Sequence, residues 1–179
     1  MIELLVVLGF VVLLALGLWL SWTANRLDRM HHRIDVSRGT LDGHLLHRSG
    51  AALEMATSGA LDPARSLLLV DSAHHARAAS RDDFEAAESE LSEALRAVFR
   101  EGDEVRSLRA DDEVRPLLDE LAGECRKVEL ARRFHNDVVA SARALRSRRR
   151  VRWLRLAGRA AALQTVDLDD GPPPALTDP

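Results

Sequence analysis

The chain has no tyrosine, one cysteine (Cys125) and one lysine (Lys127) in 179 residues. A lone thiol excludes an intrachain disulfide and any Cys-x-x-Cys metal or redox site. Aromatic residues make up 4% of the chain, and no segment shows the strict alternation of a strand. A composition poor in aromatics and rich in Ala, Leu, Arg and Glu favours long packed helices over sheets. Catalytic motifs are missing too. There is no Gly-x-Ser-x-Gly, no phosphate-binding loop, no His-Glu-x-x-His and no Glu-x-x-His pair of the di-iron bundles. An enzyme is not expected, and no cofactor or metal is implied.

Charge is present in quantity but distributed unevenly. The formal net charge is −3. From Asp82 to Glu129 there are 16 acidic residues against 7 basic ones, whereas Val138 to Thr165 holds eight arginines and no acid. Such asymmetry points to an anionic partner or to the acidic part of the same chain. Its densest stretch is "RRRVRWLRLAGR", residues 148–159, with six arginines around a tryptophan and two leucines.

The apolar residues concentrate at the N-terminus. Leu4–Trp22, "LLVVLGFVVLLALGLWLSW", is nineteen residues without a charge, nearly enough to fill a hydrocarbon core of about 30 Å at 1.5 Å per residue. Trp19 and Trp22 stand at its C-terminal edge, where indoles favour the headgroup boundary. A cleaved signal peptide would need a basic leading region, a shorter run and small residues at the cut; none is found. Arg26, Arg29, Arg33 and Arg38 follow the run and no Lys or Arg precedes it, so the following domain is expected on the cytoplasmic side.

Beyond the span the apolar spacing of three and four residues predicts four helical passes. The first carries Leu27, Met30, Ile34, Leu41, Leu45, Ala52 and Met55, interrupted by Ser37 and Arg48. The second, about 63–80, starts at an Asp62 cap with Pro63 in the first turn and carries Leu67, Leu68 and Val70. Ser80 or Asp82 caps the third, which carries Phe84, Ala87, Leu91, Leu95 and Val98. The fourth starts at about Asp112, with Pro116 in its first turn. Its heptad-like seam comprises Val114, Leu117, Leu121, Cys125, Val128, Ala131, His135, Val138, Ala142 and Leu145. After Thr165, "VDLDDGPPPALTDP" is acidic and proline-rich, and a disordered tail is expected over 166–179.

In this frame "ANRLDRMHHRIDVSRGTLDGHLLHR", just after the apolar run, resembles the opening of the LemA family of single-pass bacterial membrane proteins. The residues carrying the likeness are Asn25, Leu27, Ile34, Asp35, Leu41, Asp42, Leu45 and Arg48. "ESELSEALRAVF" resembles the family's third-helix pattern through Glu90, Leu91, Ala94 and Leu95. "RKVELARRFHNDVV" resembles its late motif through Glu129, Ala131, Arg132, Arg133, Phe134, Asn136, Asp137 and Val139. The chain departs from the family in "SGAALEM" after Arg48, where relatives carry a second basic residue, and in "SARALR", where a Tyr-Asn pair is lost. The resemblance implies an all-α fold, an N-terminal transmembrane helix continuing into an antiparallel four-helix bundle, and no catalytic chemistry to carry over. The expected organisation is an anchor over 1–24, a bundle over 25–147, a basic amphipathic segment over 148–165 and the tail.

Four alternating passes return the chain to the inner leaflet at the basic segment. On a helical wheel Arg149, Arg152, Arg155 and Arg159 share one third of the circle, opposite Trp153, Leu154, Ala157 and Ala161. This suits an interfacial helix on anionic lipid, with Arg148, Arg149, Arg152, Trp153, Arg155 and Arg159 as lipid-binding residues. A solvated helix end and a nucleic-acid grip are the alternatives. Among seven histidines, His44 and His47 share a helix face, and a hairpin could bring His74 and His75 to them. Solvated or capping roles are the default. Asp35 and Asp42 are expected to pair with another pass, and Asn136-Asp137 to set bundle register. The expected function is a membrane-anchored scaffold or adaptor with an unidentified protein partner. The alternative is a membrane-tethered nucleic-acid binder. The oligomeric state is left open.

Overall fold

A computed structural model describes residues 2–146 and 164–177. Among these residues the fold is all helical: α1 (Ile2–Thr57), α2 (Pro63–Ala78), α3 (Phe84–Val98), α4 (Gly102–Ala110), α5 (Arg115–Arg146) and the short α6 (Pro174–Thr177). The chain divides into two compact units, one comprising residues 1–36 and 137–164, the other 37–136 and 165–179.

In the first unit α1 is continuous through the apolar run, and its side chains lie open. Val6, Leu13 and Leu18 are 65%, 68% and 73% exposed. Over its described residues no helix is long and apolar enough to cross a membrane. Leu4, Leu5, Val12 and Leu20 of the expected span lie outside the described side chains.

The second unit is a helical bundle. Partners on α1 and α5 run in opposite directions, Ser37 meeting His135 and His44 meeting Glu124, so these helices are antiparallel. Partners on α1 and α3 ascend together, Arg38 lying over the Phe84 ring and Arg48 bonding Glu88 and Ser92. A core of Met55, Leu69, Leu91, Leu95, Phe99, Leu118 and Leu121 draws on α1, α2, α3 and α5. A smaller cluster joins Leu41, Leu45, Val128 and Ala131 to Val166 and Leu168 of the C-terminal segment.

Local chemistry explains the boundaries. Asp62 caps α2 by accepting from the Ala64 and Arg65 amides at 3.0 and 3.2 Å, with Pro63 in the first turn, where a missing N–H costs nothing. Gly59 adopts φ +81, the left-handed conformation that glycine takes cheaply after a helix end. The α5 seam is buried as expected at Leu121, Cys125, Val128, Ala131, His135, Val138 and Ala142.

Several expectations are corrected. α2 buries Leu69, Ser72, Ala73 and Ala76 and leaves Leu67 and Leu68 exposed, because its neighbours meet the small-residue face. Ser37 and Arg48 do not interrupt the α1 stripe; both are buried on it. The link between third and fourth passes holds an additional helix, α4, whose Val105 is buried and whose Leu108 packs on the core. α5 begins at Arg115 rather than at Asp112. Finally, the segment expected to be disordered is packed over 166–176. Val166, Leu168 and Leu176 are buried, since a period-two strap hides alternate residues in a groove that the bundle supplies.

Candidate functional site

Two polar constellations are built on the helices of the bundle, one from α1, α3 and α5 and one on α3 and α5. The first is built on Arg48, which is 1% exposed. Its Nη1 donates to Ser92 Oγ at 2.8 Å, and its Nη2 donates to the Glu88 carbonyl at 3.1 Å and to Glu88 Oε2 at 2.6 Å. The Arg48 Nε is buried with no hydrogen-bond acceptor among the described residues. Burial pushes the Glu88 carboxyl above the usual carboxylate range, and the guanidinium only partly opposes the shift. A turn earlier, His44 Nδ1 lies 3.1 Å from Glu124 Oε2, while Lys127 Nζ donates to Glu124 Oε1 at 2.7 Å. Burial raises the Glu124 carboxyl, but the hydrogen bonds from Lys127 and His44 prevail and hold it below the usual range. His47 lies beside His44, their ring centroids 6.4 Å apart and the planes at 76°. Donor atoms of His44, His47 and Glu124 all fall within 4.8 Å of one another.

The second constellation is the strap, residues 165–173, laid between α3 and α5. Asn136 clasps it with its side-chain amide, Nδ2 donating to the Val166 carbonyl and Oδ1 accepting from the Val166 amide, both at 2.9 Å. Arg132 forms a forked pair with Asp170 at 2.5 and 2.9 Å. Arg96 does the same with Asp169 at 2.5 and 3.1 Å and also donates to the Gly171 carbonyl at 2.8 Å. From α3, Glu85 and Ser89 accept the Asp167 and Asp169 amides at 3.0 Å. A side chain at Gly171 would meet Arg96 Nη1 at 3.2 Å, so the guanidinium would have to give way by a few tenths of an ångström. Arg109 Nη2 on α4 donates to the Leu176 carbonyl at 3.0 Å. The hydrogen bond from Arg96, followed by that from the Gly171 amide, keeps the Asp169 carboxyl below its ordinary value.

Several sequence-based site expectations resolve differently. His74 and His75 do not join His44 and His47; His75 Nδ1 lies 2.8 Å from Glu90 Oε2 on α3. Asp42 pairs with Arg38 of its own helix at 2.9 Å, not with another pass. Asn136 serves the strap. Arg148, Arg149, Arg152, Trp153, Arg155 and Arg159, expected to bind lipid, lie outside the described residues. Glu124 and the acceptors of the strap escaped sequence reasoning, although Leu121, Glu124, Val128 and Ala131 keep the same spacing of three and four as the seam. Cys125 is buried; burial pushes its thiol up, away from a reactive thiolate.

No curated protein and no solved structure matches the chain. A model of the LemA family does, over residues 48–147, more than half of the chain. The matched stretch begins at Arg48, the buried hub of the first constellation, and takes in the C-terminal end of α1 together with α2, α3, α4 and α5. The chain belongs to the LemA family.

Proposed function

We propose that this LemA-family chain is a non-catalytic, membrane-anchored helical scaffold. Leu4–Trp22 spans the bilayer, the bundle faces the cytoplasm, and the basic segment lies on the inner leaflet. The observation that carries the reading is the openness of the N-terminal part of α1. Val6, Val7, Leu8, Phe10, Val11, Leu13, Leu14, Leu16 and Leu18 are all at least 48% exposed. They follow one another around the helix, so no single partner face would cover them, whereas a hydrocarbon solvent would. The arginines that follow the run, and their absence before it, support the orientation.

The scaffold role rests on the acidic surface that the bundle offers: Glu93 of α3, Glu101 just ahead of α4 and Asp103 of α4 are exposed to solvent. Arg148, Arg149, Arg152 and Arg155 would each add about 1 kcal/mol of attraction to acidic lipid.

Topology is tested by a reporter fused after Pro179. Cytoplasmic signal and full protection from protease added to intact cells are expected; digestion of the bundle from outside would refute the orientation. The lipid contact is tested with residues 25–179, which keep the strap and retain Trp153 as the sole tryptophan. Binding to vesicles rich in acidic lipid, with a blue shift of Trp153 emission, is expected. Charge reversal at Arg149, Arg152 and Arg155 should abolish it. Equal binding to DNA fragments without lipid, with no emission shift, would favour a tethered nucleic-acid binder instead.

A further inference from the structure

We propose that His44, His47 and Glu124 form a binding site for a divalent transition-metal ion of the zinc class, bridging α1 and α5. The set is two imidazoles and one carboxylate, a donor combination suited to such ions and leaving a position for water. His44 and His47 are three residues apart, which puts both rings on one face of α1. Glu124 reaches them from α5, and the donor atoms of the three residues lie within 4.8 Å of one another.

The geometry is close to what an ion needs. Ligand atoms about 2.1 Å from a tetrahedral ion stand about 3.4 Å apart, and His44 Nδ1 already lies 3.1 Å from Glu124 Oε2. His47 is exposed and free to swing the remaining distance. Lys127 holds the other carboxylate oxygen, Oε1, at 2.7 Å, so it orients Glu124 and leaves Oε2 toward the histidines. An outer hydrogen bond of this kind is how proteins aim a ligating carboxylate. A plain His44–Glu124 ion pair would give His47 no part, and on that point the two readings separate.

The test uses the untagged full-length chain in detergent micelles, titrated calorimetrically with zinc chloride. One saturable site per chain is expected, and cobalt(II) should give the visible absorption of a tetrahedral complex. His47→Ala removes an exposed side chain and keeps the fold; it should weaken zinc binding at least about tenfold, as should Glu124→Gln. Lys127→Met should weaken it within the range of about 10- to 100-fold seen on losing an outer partner. Zinc should raise the Tm of the unaltered chain and not that of His47→Ala. The double variant His74→Ala/His75→Ala should bind as the unaltered chain does. Absence of saturable zinc binding, binding indifferent to His47→Ala, or binding lost only with His74 and His75 would overturn the site.

Discussion

Arg48 shows how one side chain organises two others, Glu88 and Ser92. Its guanidinium lies in the bundle interior against Glu88 and Ser92, where an unpaired charge costs far more than at the surface. Arg48→Ala would strand the Glu88 carboxylate, and a loss of about 3–5 kcal/mol is expected from denaturant midpoints. Replacing both partners by apolar residues, as in Arg48→Met with Glu88→Leu, should recover most of that loss, since a well-packed apolar pair is often no worse than a buried ion pair. The pH dependence has a definite sign. The folded Glu88 carboxyl lies above its ordinary value, so its protonated form favours the fold, and that contribution is lost as pH rises. The deficit of Arg48→Ala should therefore be largest at neutral pH and shrink as pH approaches about 4, measurable by urea unfolding across that range. Cys125 offers an internal probe: buried with its thiol pushed up, it should resist alkylation in the native chain and react at once on unfolding.

At the level of elements, the four long helices were legible because their apolar spacing and caps are local properties. Asp62, Pro63 and the seam from Leu121 to Ala142 needed nothing from the rest of the chain. α4 was missed because nine residues, Gly102–Ala110, carry too few turns for a period to stand out, although Val105 and Leu108 hint at it. The strap was missed for a different reason. Acid and proline content argue for disorder, and the alternation of Val166, Leu168 and Asp170 against Asp167 and Asp169 means nothing without a groove 30 or more residues away in sequence. Of the candidate site, the pairing of His44 with His47 was readable from spacing, whereas Glu124 is joined to them only by the antiparallel register of α1 and α5. Strap docking should depend on pH. Asp169 sits below its ordinary value because Arg96 and the Gly171 amide favour its charged form. The stability it lends is present above that ordinary value and is lost as pH falls through the lowered one. Protection of the Asp167 and Asp169 amides from hydrogen exchange, relative to the unfolded chain at the same pH, should fall below about pH 4, and Asn136→Ala should produce the same loosening at neutral pH.

For the molecule as a whole, stability should reside in the unit formed by residues 37–136 and 165–179. Leu121→Ala in its core should cost about 2–5 kcal/mol, whereas Leu130→Ala, 65% exposed on the same helix, should fall within about 0.5 kcal/mol of the unaltered chain; equal shifts in Tm would contradict the assigned face. The Asn136 clasp carries one more consequence. Because it holds Val166 by both backbone groups, the strap is seated by contacts of its own, and its covalent link to the bundle adds only proximity. A chain severed just ahead of Thr165 keeps these contacts but loses that advantage. The severed C-terminal peptide would remain seated at high protein concentration and wash out on dilution, and a synthetic copy added in trans would return it to place. Occupancy of the groove would then follow mass action alone.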